Sequence, residues 1–272
     1  MRVGLTIAGL IFAGVYLVIL LGGQGFRDAH AYWAAHPPDL YAGAVVGGQD
    51  AFLYSPAFAQ LIAPLTALPW PAFITIWTAL ALVGLLWLVR PLSWAWRLPF
   101  LLLAAPELVS GNIHVFLAVA IAIGFRYPTS WAFVLLTKVT PAVGLVWFAI
   151  RREWRALAVA LGSTAAIAAI SFALAPDLWR AWLDVLAANA GTGGVSELAI
   201  PLWLRLPVAL VVVIWGALTD RRWTVPVAAT LAVPAFYLHT LTMLLAIIPI
   251  ELDPWTRGGR PDHPREAAAA TA

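Results

Sequence analysis

The chain has no cysteine, little charge and none of the common nucleotide or hydrolase signatures. Without cysteine there is no disulfide, no thiolate nucleophile and no thiolate metal site, and the redox state of the compartment leaves no mark. Charged residues make up 11% of the 272, against roughly 25% in soluble domains, so most of the chain has lipid as its solvent. The net charge of +3 is too small to imply a nucleic-acid partner. The motifs G-x-x-x-x-G-K-S/T, G-x-G-x-x-G, H-E-x-x-H and G-x-S-x-G are all missing, which removes the support for nucleotide-driven transport and metalloprotease chemistry. No cluster of acids marks a tightly held metal.

What is abundant is apolar: 62% hydrophobic residues, a mean hydropathy of +0.89 and fifteen tryptophans, which suit aromatic belts at two membrane interfaces. The first 21 residues, MRVGLTIAGLIFAGVYLVILL, form a run of about twenty that spans a ~30 Å hydrocarbon core. This run exceeds the apolar region of a signal peptide and no clear cleavage site follows, so a retained span is expected. Arg2 ahead of it predicts a cytoplasmic N-terminus and an external 24–55 loop, in which AHAYWAA and DLYAG suggest short interfacial helices. Residues 56–69 read as a Pro-punctuated segment leading back in, and Pro71 to Val89 returns to a cytoplasmic side marked by Arg90 and Arg97.

Beyond Arg97 the apolar runs shorten. Leu98–Val109 and His114–Phe125 flank Ser110-Gly111-Asn112, and Trp131–Leu136 and Ala142–Ile150 flank Thr137-Lys138-Val139-Thr140-Pro141. A twelve-residue helix reaches only ~18 Å, so each pair is expected to be a hairpin entering from the cytoplasm, with SGNIH and TKVTP at depth beneath the outer face. Irregular backbone at that depth needs protein or a wet cavity around it. The alternative takes 98–125 and 131–150 as two full spans. Ala156–Ala175 crosses outward, 176–205 forms a second external loop with an interfacial DLWRAWLDVLAA helix and a flexible GTGG, and Pro207–Thr219 crosses back. Thr224–Leu252 holds a last pair broken at Pro234–His239, and the tail from Asp253 reads as a disordered cytoplasmic segment. The expected fold is an all-α integral membrane bundle of about nine or ten transmembrane or partly spanning helices in one domain, 1–252.

Ionisable groups within apolar runs are expensive and functional by default. Here they are Glu107, His114, Lys138 and His239, with Asp28 at the outer boundary. A carboxylate just past a span can act as general base toward an acceptor hydroxyl, although a solvated loop acid looks the same in sequence. Lys138 beside a proline break suits a phosphate ligand better than a lysine snorkelling to the interface, and the helix expected after Pro141 would add N–H groups. His239 and His114, the latter beside Asn112, can donate to phosphate or simply be satisfied core histidines. Glu107 requires a partner, for which Lys138 and Arg97 are candidates. Arg27, His30 and Tyr54 are candidates for contacting an acceptor from the loop.

In order, Asp28, LYSPAFAQLIAPLTALPW (53–70), SGNIH (110–114), TKVTP (137–141) with RREWR (151–155), and VPAFYLH (233–239) resemble the polyprenyl-phosphate-dependent mannosyltransferases of glycosyltransferase family 87, membrane enzymes of the GT-C fold. Lys138, Thr140, Pro141, Pro234 and His239 match the family's pattern; Ser55 replaces a proline, and Asn112 and His114 stand where the family has Gln and Asn. The resemblance implies transfer of a sugar, mannose or another hexose or pentose, from a polyprenyl-phosphate donor to a lipid or glycan acceptor, with inversion. It places this at the outer face of the cell (inner or plasma) membrane. It implies Asp28 as base, with Lys138, His239, His114 and Asn112 around the donor phosphate, and no metal or other cofactor. A lipid or solute transporter or flippase is a competing reading, since broken helices with polar residues at depth also mark transporters, and a non-catalytic membrane scaffold is a third. Asp28 and Lys138 facing one site would separate the enzyme from both.

Overall fold

A computed structural model describes residues 1–37, 39–190 and 200–256, and among these the chain is helix and turn with no strand. Its α-helices are α1 (Arg2–Leu21), α2 (Arg27–Ala34), α3 (Pro56–Thr66), α4 (Trp70–Val89), α5 (Trp94–Leu103), α6 (Ala105–Ser110), α7 (His114–Ile123), α8 (Trp131–Thr137), α9 (Val146–Ile150), α10 (Trp154–Leu174), α11 (Pro176–Asn189), α12 (Leu202–Leu218), α13 (Thr224–Leu231) and α14 (Ile247–Leu252). Three-ten turns over Pro128–Ser130, Thr140–Leu145 and Leu238–Ala246 join them. α1, α4 and α10 are long and apolar enough to cross a membrane. Among the described residues the helices outnumber the nine or ten expected, because the short α2, α3 and α11 add to the spans and the arm from Trp94 to Ser110 divides into α5 and α6. The all-helical membrane architecture is the expected one.

α1 lies on the outside of the bundle, where Gly9 is its one buried residue. A Cβ at Gly9 would stand 2.7 Å from the Leu102 Cβ, so the missing side chain lets α1 cross α5 at close range. The two run parallel: Gly9 meets Leu102, and beyond the end of α1 the Phe26 N–H donates to the Val109 carbonyl at 2.6 Å. The loop after α1 is thereby tied to the end of α6.

Both expected interruptions are present, which rules out continuous helices through 98–125 and 131–150. The first falls at Gly111-Asn112-Ile113 and the second at Lys138-Val139. The Trp77 Nε1–H donates to the Gly111 carbonyl at 2.8 Å, and Trp77 lies seven residues along α4 from Trp70, so this turn sits ~10 Å below that end of α4. The first arm is longer than expected: α5 starts at Trp94, and a hinge at Ala104, with Pro106 in the first turn of α6, divides it. After Lys138 the chain doubles back, and Trp131 of α8 packs edge-on to Phe148 of α9.

Two ends of the bundle result. At one, Arg90 pairs with Asp253, Arg126 donates to the Trp255 carbonyl, and Arg151 pairs with Asp220 at 2.9 Å. Every basic cluster between 90 and 155 is therefore on one side. Asp253–Thr256, assigned by sequence to the tail, pack here instead: Trp255 lies against the guanidinium groups of Arg90 and Arg126, and the Thr256 hydroxyl donates to the Pro249 carbonyl. Burial alone would raise the Asp253 carboxyl, but Arg90 and the Trp255 amide outweigh it and hold it below its usual range. Residues 257–272 of the expected tail, and the GTGG expected to be flexible, lie outside the described residues. At the other end, α2, the loop that follows it and α11 meet: the Asn189 side chain bonds both Val46 N and the Ala44 carbonyl, and the Trp182 Nε1–H donates to the Leu53 carbonyl. Of the three short helices expected in the loops, AHAYWAA and DLWRAWLDVLAA are helical, in α2 and α11, whereas DLYAG forms turns.

Candidate active site

The site forms where α2 meets the turn between α6 and α7. Gly111 there has φ +70°, and a Cβ on it would stand 2.5 Å from the Ala29 Cβ. Glycine is thus required twice, by the left-handed backbone and by the approach of α2. Ala29 is fully buried against it, so its neighbour Asp28, in the first turn of α2, is placed over the turn. The Asn112 amide nitrogen donates to Asp28 Oδ2 at 2.9 Å, while the Asn112 oxygen accepts from Ile113 N at 2.7 Å. His239 Nε2 stands 3.8 Å from the same Oδ2.

Beneath Asp28 lies a buried chain of polar groups. Glu107 Oε1 accepts from the Val115 N–H at 3.2 Å, and Glu107 Oε2 meets His114 Nδ1 at 3.1 Å. His114 Nε2 in turn meets Lys138 Nζ at 2.9 Å. A lysine ammonium has only donors, so His114 Nε2 accepts, and its Nδ1 carries the proton that goes to Glu107. The His114 and His239 rings lie 5.3 Å apart, and His239 stacks on Tyr237. His239 Nε2 and the Thr140 hydroxyl are buried without a hydrogen-bond partner among the described residues.

Local sequence explains how Lys138 arrives there. α8 ends at Thr137 and Lys138 is extended, with φ −138°. Ser55, which stands where the family pattern has proline, caps α3 and donates its hydroxyl to the Leu136 carbonyl at 2.5 Å. Tyr54 then sets its ring 6.0 Å from Lys138 Nζ and its hydroxyl 3.0 Å from that of Tyr32. The Tyr41 hydroxyl donates to the Tyr54 carbonyl, and burial pushes the Tyr41 phenol up, which keeps that donor protonated.

The model of glycosyltransferase family 87 matches residues 52–256, well over half of the chain. The chain belongs to glycosyltransferase family 87. No curated protein and no solved structure matches it. As a family 87 protein it is a membrane glycosyltransferase, with a sugar donor and an acceptor as its substrates. Asn112, His114, Lys138 and His239 fall within the matched region. Asp28 precedes it, so the placement of Asp28 at the site rests on geometry alone.

Several expectations for this glycosyltransferase are corrected by the structure. Asn112, expected at the donor phosphate, gives one of its two amide N–H groups to Asp28. His114 was expected there too, yet it is fully buried with both ring nitrogens engaged. Glu107 pairs with His114 rather than directly with Lys138, and Arg97 instead donates to the carbonyls of Leu92 and Arg90. The helix expected after Pro141 begins as a six-residue three-ten segment, too short to act as a strong dipole. Of the loop candidates, Tyr54 borders the site. His30 lies two positions from Asp28, on the opposite face of α2, where it bonds Asp50 at 2.7 Å and packs on Trp33 and Trp70. Arg27 is exposed and belongs to none of these contacts. Arg205, which the sequence placed at the end of a loop, is a buried residue of α12 whose guanidinium donates to the carbonyls of Ile200, Leu231, Val233 and Pro234. It thereby holds the segment leading to His239.

Glu107, His114 and His239 each present a ligand atom, all within 4.8 Å of one another. In type they suit a divalent cation. As arranged they do not fit one, because His114 has no free nitrogen and the Lys138 ammonium adjoins it.

Proposed function

We propose that this glycosyltransferase moves a sugar, mannose or a related hexose or pentose, from a polyprenyl phosphate to a lipid or glycan acceptor, with inversion. The observation that carries the reading is the convergence of three groups. Asp28 presents a carboxylate oxygen, His239 a ring nitrogen without a hydrogen-bond partner among the described residues, and Lys138 a cation held one imidazole away. The Asp28 carboxylate takes the proton of the acceptor hydroxyl as its oxygen attacks the anomeric carbon from the face opposite the leaving group. The bond from that carbon to the phosphate oxygen breaks, and the electron pair leaves with the polyprenyl phosphate. Lys138 and His239 meet the growing negative charge, in the way fixed donors stabilise a transition state when they need not reorganise. The Lys138 ammonium, with His239 as a hydrogen-bond donor beside it, does the work of a divalent metal, and the reaction needs no other cofactor. The chain is a multi-pass protein of the plasma (inner) membrane with the Asp28 end outside, since the arginines gather at the opposite end.

The test is a pair of variants assayed with polyprenyl-phosphate mannose in nanodiscs. Loss of a general base costs about 10²–10⁴ in rate, so Asp28→Asn binds the donor as the parent does and transfers little sugar. Lys138→Ala loses a charge-assisted contact, so donor binding weakens and turnover falls with it. Near-normal transfer by Asp28→Asn removes Asp28 as base, and normal donor binding by Lys138→Ala removes Lys138 from the phosphate.

A further inference from the structure

We propose that Glu107 is a positioning residue for glycosyl transfer. Through His114 it fixes the imidazole tautomer that aims the Lys138 ammonium at the donor phosphate. The proposal rests on the reading of Lys138 as a phosphate ligand and says how that ligand is held.

Glu107 and His114 are 1% and 0% exposed, so neither side chain is open to a substrate. A carboxylate at that depth is costly unless its acceptors are used. Both are: one oxygen takes the Val115 N–H at the start of α7, and the other faces His114 Nδ1. The two donors arrive at different terminal atoms, Oε1 and Oε2, and of the side chains of this length glutamate alone has an acceptor at both positions. With Nδ1 protonated, Nε2 is left as the acceptor that Lys138 Nζ meets at 2.9 Å. The other charged or titratable groups bordering this chain are His239, beside the His114 ring, Asp28, which Asn112 holds above it, and Tyr54, whose ring lies by Lys138 and whose hydroxyl meets that of Tyr32. The logic is that of the carboxylate that sets the tautomer of a catalytic histidine in hydrolytic triads, here turned to orient a cation instead of a base.

Glutamine at 107 has the same shape and the wrong polarity. If its oxygen accepts from Val115, its NH₂ faces His114 Nδ1. The imidazole must then move its proton to Nε2, head-on to the ammonium. Lys138 loses its partner without any change in its own side chain.

The experiment is a double-mutant cycle with Glu107→Gln and Lys138→Ala, read as binding of a non-transferable polyprenyl-phosphate sugar and as acceptor KM. Glu107→Gln is expected to weaken donor binding by roughly ten- to a hundredfold, the scale of one charged hydrogen bond. The acceptor KM stays unchanged. The double variant binds the donor no more weakly than Lys138→Ala alone, because the two act as one unit. Additive losses overturn the proposal. So does normal binding by Glu107→Gln where Lys138→Ala has lost it, an outcome that leaves the phosphate assignment standing. Normal binding by Lys138→Ala overturns that assignment and the proposal with it. Should Glu107→Gln fail to fold, ¹⁵N spectra of histidine-labelled parent protein decide. The Nδ1–H tautomer is expected for His114, and an Nε2–H or doubly protonated ring overturns the proposal.

Discussion

Replacing Gly111 by alanine disturbs the site without touching a reacting group. The residue is left-handed, with φ +70°, where an L-residue costs about 1–2 kcal/mol. The new Cβ also stands 2.5 Å from the Ala29 Cβ and 3.4 Å from the Ala29 nitrogen, and overpacking of that kind costs about 1–3 kcal/mol. The total is about 2–5 kcal/mol, a large part of the stability of an ordinary domain. Because the obstacle is α2 backbone and an alanine methyl, neither can rotate away, and α2 has to move outward carrying Asp28. A displacement near 1 Å at a reacting group costs about a hundredfold in rate. Gly111→Ala should therefore lower the thermal midpoint, read by tryptophan fluorescence, and cut transfer from polyprenyl-phosphate mannose about a hundredfold. Adding Ala29→Gly removes the methyl contact while leaving the backbone strain, and should restore much of the transfer but only part of the stability. Parent-like stability and transfer in Gly111→Ala would refute the placement of α2 on this turn. Equal inactivity of the single and double variants would refute the steric cause.

Arg205→Met should destabilise the protein by about 3 kcal/mol or more, since the buried carbonyls of Leu231, Val233 and Pro234 lose their donor at about 1–3 kcal/mol each. A change below 0.5 kcal/mol in reversible unfolding would show that the segment before His239 holds itself. For topology, single cysteines at Val45 and Trp154, both exposed, exploit the cysteine-free background. An impermeant maleimide added to intact cells should label the first and spare the second, and the reverse pattern would place Asp28 in the cytoplasm.

The spans and their breaks were legible in the sequence because they depend on composition and local chemistry. A run of twenty apolar residues predicts α1 and α4 by length alone. Gly111 and the Lys138-Val139-Thr140-Pro141 stretch interrupt helices for reasons internal to a few residues. The same locality exposed Glu107, Lys138 and His239 as charges too costly to be idle, and motif order was enough to suggest the family.

Which group meets which was decided only in three dimensions. Asn112 and His114 looked like phosphate ligands because they adjoin a turn at depth. Folding turns one Asn112 amide N–H to a carboxylate 84 residues away and encloses His114 between Glu107 and Lys138. Arg205 escaped notice because it was read as part of a loop, and its value lies in carbonyls 26 to 29 residues further on. Sequence thus determined a helical membrane protein, its breaks and its stock of costly charges, since each follows from neighbours along the chain. Tertiary structure decided the division of labour among those charges, because a hydrogen bond depends on the distance between two groups in space and not on their separation in sequence.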